Sequence, residues 1–190
     1  MKIPEGKCNQ AASTAAVIFE IIYWGVAAVY VLMLMTLVYD PTYLSSLKDA
    51  PNHWVAFFAV FDYNVEGLSN VRGLFALAIL QSIALISLGA MILHKIHLIF
   101  EITAGKTRDS IGPTPFQPAN VKLLRQIGVL AATCPILNFL ISLLVALLYG
   151  TDVAIPIISP EGLFAGVVIL CLSRFFAHGV ALQIDVDGLL

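Results

Sequence analysis

Charge is what this sequence has least of. Asp, Glu, Lys and Arg together make up 12% of its residues, against about 25% in an ordinary soluble domain. The ten basic residues form no long run, so direct binding to nucleic acid has no electrostatic footing. Cysteine is scarce too: Cys8, Cys134 and Cys171 are odd in number and far apart, which excludes a disulfide framework and a CxxC metal or redox site. No serine nucleophile elbow, phosphate-cradling glycine loop, HExxH zinc motif or paired-carboxylate site occurs in the chain. Nothing in it therefore points to an enzyme, a cofactor or a metal centre.

What the sequence has in abundance is apolar side chains, 59% of its 190 residues. Four runs are long enough to cross a bilayer, which takes about 20 predominantly apolar residues. They cover 12–38, 73–99, 127–149 and 161–177, and the expected fold is all-α, a single integral membrane four-helix bundle. The first run is longer than the core of a secretory signal and ends at Asp40-Pro41, so it reads as a retained helix. Pro118 suits the first turn of the third helix, and Gly150-Thr151-Asp152 ends it. Between the second and third spans lies a polar, proline-punctuated hinge, 100–126, and after the fourth a tail, 178–190. The tail reads as a frayed or amphipathic helix along the membrane surface.

Orientation follows from the basic residues near the span ends. Lys2, Lys7, Lys95, Lys106, Arg108, Lys122, Arg125 and Arg174 fall on the side of the termini and hinge, with only Lys48 and Arg72 on the other. The positive-inside bias then places both termini in the cytoplasm and the loop between helices 1 and 2 outside it. That loop holds an aromatic run, His53 to Phe61, too short to span; it reads as interfacial packing, with a lid over a ligand pocket as the alternative.

Ionisable and amide side chains inside a bilayer are costly, so each such residue is a candidate. Glu20 and Arg174 both belong to the cytoplasmic half of their spans and could pair. Gln81 and Asn138 lie near mid-span, and Cys134, Asn138 and Ser142 recur at i, i+4 and i+8 on one face, beside Pro135. Interhelical hydrogen bonding is one reading of this stripe; a lined transport path is the other. The GLFAG at Gly162 to Gly166 signals close helix packing, and self-association through it is the second option. His94, His97 and Glu101 share one side of a helical stalk at metal-competent spacing, although juxtamembrane histidines on a solvated stalk are the commoner explanation.

The stretch GPTPFQPANVKLLRQIG, followed some fifty residues later by RFFAHGVALQIDVDGLL, resembles the YoaS-like family of small bacterial membrane proteins, a domain of unknown function numbered 2975. The motif positions are held by Thr114-Pro115-Phe116, Asn120, Leu124-Arg125, Gly179, Leu182-Gln183, Asp185 and Asp187; Ile184 stands where an acidic residue is common. The resemblance implies a four-helix protein of a bacterial cell membrane, without established biochemistry. It also suggests a cytoplasmic partner, since such proteins are often encoded beside a small helix-turn-helix regulator. The expectation is thus a membrane anchor or sensor, its partner surface formed by Phe116, Asn120, Lys122, Arg125, Gln183, Asp185 and Asp187. The alternative is a small transporter or channel component built on Glu20, Arg174, Gln81, Asn138 and Ser142.

Overall fold

The computed structural model describes residues 5–39, 53–56, 59–62, 71–108, 110 and 114–187, with side chains described for 9–39, 72–108, 110 and 114–186. Among them are four long helices: α1 (Glu5–Tyr39), α2 (Val71–Thr103), α3 (Pro118–Tyr149) and α4 (Pro160–Asp187). They contain 35, 33, 32 and 28 residues. At about 1.5 Å per residue even the shortest is about 42 Å long, more than the ~30 Å of a hydrocarbon core. Each is apolar enough to cross a membrane. Two four-residue strands, β1 (His53–Ala56) and β2 (Ala59–Asp62), make an antiparallel hairpin in which His53 faces Asp62 and Ala56 faces Ala59. The aromatic run thus contributes backbone pairing; the rest of its loop, with Asp40, Lys48, Asp49 and Glu66, lies outside the described residues.

The helices extend beyond the apolar runs because their polar ends remain good helix formers and are properly terminated. Gly105, at a φ of 74°, closes α2 in a Schellman arrangement: its amide bonds to Ile102 O and that of Lys106 to Glu101 O, both at 3.0 Å. Gly150, at a φ of 101°, ends α3 with a 2.9 Å bond to Ala146 O. Pro118 and Pro160 occupy the first turns of α3 and α4. Ser159 caps α4, its Oγ accepting the Gly162 amide at 3.4 Å. The tail is helical, as expected, and it is continuous with the fourth span: α4 runs on to Asp187, because nothing in HGVALQIDVD breaks a helix strongly enough.

The chain falls into two compact units. One comprises 22–89 and 133–162. Its core gathers Ala27, Leu74, Ala78, Leu85, Cys134 and Val145, and Leu74, Ala78, Gln81 and Leu85 form a single helical face. At the end of α1, Arg72 donates from Nε to Leu37 O (3.1 Å) and from Nη2 to Val38 O (2.7 Å). These are carbonyls that a helix end leaves unpaired, and the guanidinium also complements the negative end of the helix dipole.

The other unit comprises 1–21, 90–132 and 163–190. Ile92, Ile127 and Ala131 form its buried apolar cluster, with Ile96, Ile99 and Ile169 packed around them. Here α3 and α4 approach closely. A Cβ built on Gly166 would lie 2.8 Å from both the amide nitrogen and the Cβ of Ala132, and one on Gly128 would lie 2.8 Å from Leu170 Cγ. The GLFAG segment is therefore used inside the molecule. Apolar side chains such as Ile21, Leu32, Phe164 and Phe175 remain largely exposed on α1 and α4, as lipid-facing surfaces must be.

Candidate functional site

The hinge is built around a glutamine that sequence reasoning passed over. Gln117 precedes α3 and is fully buried. Its Nε2 donates to Thr114 O (2.8 Å) and Ile102 O (3.3 Å), with Ser110 Oγ 3.5 Å away. Ser110 Oγ itself donates to Ile102 O at 3.0 Å. Prolines at 113, 115 and 118 remove backbone donors in this stretch. A side-chain amide supplies donors in their place.

Asn120 belongs to the same structure. It is fully buried, and Nδ2 donates to Pro115 O (3.0 Å) and Thr103 Oγ1 (3.1 Å). The expectation that it meets a partner is therefore corrected: it ties the start of α3 to the end of α2. A polar residue in the first turn of a helix reads as exposed from sequence, and only the fold reveals the acceptors around it.

Phe116 carries the hinge onto α4. Its ring lies 5.5 Å from that of Phe176, centroid to centroid and tilted by 41°. Gly179 leaves the room it needs, since a Cβ there would be 2.5 Å from Phe116 Cδ1. One turn further, Thr114 Oγ1 donates to Gln183 Oε1 at 3.2 Å. Phe176, Gly179 and Gln183, at i, i+3 and i+7, thus form a stripe that receives the hinge. Phe116 stays 42% exposed in this arrangement, half in the contact and half outside it.

The structure does not gather all seven expected partner residues on one surface. Phe116 and Gln183 are brought together. Asp185 is exposed but two residues further on, about 200° around the helix from Gln183. Asp187 ends α4, and its side chain lies outside the described residues. Lys122 and Arg125 are exposed and line a groove with α2.

The intramembrane candidates also find particular partners. Glu20 meets His94, its Oε1 3.1 Å from Nδ1, and not Arg174. Arg174 is exposed and makes no ion pair among the described residues. The expected Glu20–Arg174 clasp is thus replaced by a carboxylate–imidazole contact. His97 turns elsewhere: Nδ1 hydrogen-bonds with Ser13 Oγ at 2.9 Å, while Nε2 lies 3.7 Å from Glu101 Oε2. Among the described residues no three His, Cys, Asp or Glu side chains converge as a metal site would require.

In the other unit, Gln81 Nε2 donates to Asn138 Oδ1, and both residues are buried with Cys134 and Ser142. The polar stripe of α3 therefore points inward and its central amide is bonded across to α2. Replacing one member removes the bond and leaves the other polar group in a largely apolar setting without that partner, whereas replacing both removes the two groups together. We expect Gln81→Leu and Asn138→Leu each to destabilise by ~1–2 kcal/mol and the double variant by clearly less than their sum, with a coupling of ~0.6–1.7 kcal/mol. Unfolding in mixed micelles measures the cycle. Strict additivity would refute a direct bond.

Comparison with family models, curated proteins and solved structures gives no match to this chain.

Proposed function

We propose that this chain is a multi-pass anchor or sensor of a bacterial membrane, with termini and hinge in the cytoplasm, that binds a cytoplasmic protein at the end of α4. A small DNA-binding regulator is the partner class. The observation that carries this reading is the exposed apolar surface of the tail. About 20 residues of α4 suffice to cross a hydrocarbon core, which brings the chain from Pro160 to about Val180. Beyond that depth, Leu182, Ile184 and Val186 are 66%, 62% and 58% exposed. Apolar side chains so placed in water call for cover.

Leu182 and Val186 are neighbours at i, i+4 and flank the Gln183 face, to which the hinge brings the half-exposed Phe116. The motif resemblance to the YoaS-like family supports the same reading, and membership of that family is part of the proposal. Transport has less support. Gln81 and Asn138 bond to each other, and Glu20 is engaged by His94.

Site-specific photocrosslinking tests the proposal in intact cells. A crosslinker at Leu182 should capture a DNA-binding protein, whereas one at Leu172, exposed but within the span, should yield lipid adducts only. Phe116→Ala should weaken capture roughly thirtyfold, the effect of one central interface residue worth ~2 kcal/mol. Lipid adducts alone at both positions would refute the proposed role.

A further inference from the structure

An open groove of about 450 Å³ lies between the last turns of α2 and the first turns of α3. Its two ends differ in chemistry. Met91 on α2 and Val129 and Leu130 on α3 form an apolar floor; one turn nearer the hinge come Lys95 and Arg125, and a further turn out on α3 comes Lys122. The helices run antiparallel here, as the Lys95–Gln126 and Thr103–Asn120 bonds establish, so the cationic ends of both walls coincide.

The three charges are uncompensated. Lys95 Nζ is held at 2.8 Å by the neutral Gln126 Oε1, no acidic residue lines the groove, and neither Lys122 nor Arg125 pairs with a carboxylate among the described residues. Three like charges on one rim repel one another. Gln126 fixes the first in place without neutralising it.

We infer that this groove is a binding site for an anionic phospholipid, its phosphate held by Lys95, Lys122 and Arg125 and its acyl chain lying on Met91, Val129 and Leu130. The volume falls within the ~300–1,000 Å³ of small-ligand sites. Basic pockets between transmembrane helices are suited to anionic headgroups, and the guanidinium of Arg125 can bind a phosphate through two parallel hydrogen bonds. The occupant has to be an amphiphile: a soluble phosphate would leave the apolar floor uncovered, and a neutral lipid the three cations. This site is separate from the α4 surface of the proposed function, and either can fail without the other.

The test uses the full chain in nanodiscs of phosphatidylcholine and phosphatidylglycerol, released into detergent and weighed by native mass spectrometry. One phosphatidylglycerol per chain should be retained in preference to phosphatidylcholine. Each cation near a membrane surface contributes about fivefold, so Lys122→Gln with Arg125→Gln should weaken retention by about 25-fold. Lys106→Gln with Arg108→Gln, which removes two hinge cations outside the groove, should change it less than twofold. Val129→Trp should displace the lipid with every charge intact. Helix content, measured by circular dichroism, should be unchanged in all three. Equal retention of the two lipids overturns the inference, as does full retention by the groove variant or an equal loss in the hinge variant. Photocrosslinking at Leu182 should be unaffected by Val129→Trp, which separates failure here from failure of the partner reading.

Discussion

Gly166→Leu should destabilise the protein by about 3 kcal/mol, the upper end of what overpacking a close-packed site costs, while Gly25→Leu should leave stability nearly unchanged. Both glycines sit inside long helices, so helix propensity favours leucine equally at each. Only their surroundings differ. A Cβ at Gly166 would meet the Ala132 amide nitrogen and Cα at 2.8 and 3.0 Å, and a backbone atom cannot swing aside as a side chain does. A Cβ at Gly25 meets nothing within 4 Å. Because water is excluded between membrane helices, contact at van der Waals distance is a principal source of their association. Moving α3 from α4 to admit an isobutyl group therefore loses many small attractions at once. Unfolding in mixed micelles measures both variants. Equal midpoints would mean that the α3–α4 approach at Gly166 is not part of the folded state in a membrane.

The second large effect is expected at Gln117. Gln117→Ala removes the amide that donates to Thr114 O and Ile102 O and approaches Ser110 Oγ. Ile102 O keeps the Gly105 amide and the Ser110 hydroxyl, but Thr114 O loses the side-chain amide that donates to it. An acceptor left so costs about 1–3 kcal/mol, and here the loss falls on a loop whose local opening is easier than global unfolding. Lys106 and Arg108 are exposed on that loop and offer trypsin two sites. With ~2 kcal/mol less holding the loop closed, cleavage there should be roughly thirtyfold faster when it follows the population of the open form. Gln183→Ala, which removes one 3.2 Å bond to Thr114, should accelerate it only about threefold. Equal rates in the parent and the Gln117 variant would show that Gln117 does not close the hinge. Protease added to sealed inverted vesicles should cut, and protease added to right-side-out vesicles should not, as the cytoplasmic hinge in our proposal requires.

Much of the architecture could be read in one dimension because the membrane restricts it so severely. An apolar run of sufficient length has few alternatives to a helix, and Pro118, Gly150 and Pro160 punctuate the chain by local chemistry alone. The helical nature of 178–187 was legible; that it extends α4 without a break was not, since its mixture of apolar and polar residues fits a surface helix as well as a straight extension. Pairings between helices were also hidden. Glu20 and His94 are 74 residues apart, and sequence supplies no distance that favours His94 over Arg174. For Gln117 a signal did exist. A stretch with prolines at 113, 115 and 118 is poor in backbone donors, and the one amide side chain among them is the natural substitute. Its burial could still not be known without the Ile102 carbonyl beside it.

The unbroken course of α4 has a mechanical consequence. A helix without a joint behaves as a stiff rod, and Asp185 lies 19 residues beyond Gly166, about 28 Å along the axis. With the Gly166 approach as the pivot, a tilt of about 5° displaces the far end by ~2.5 Å. That is nearly a hydrogen bond's length, and on the way to the tip it would be felt at the Phe116–Phe176 contact and the Thr114–Gln183 bond, which hold α4 to the hinge. Any event that rocks this rod is read out at its tip, magnified by the leverage of its own length.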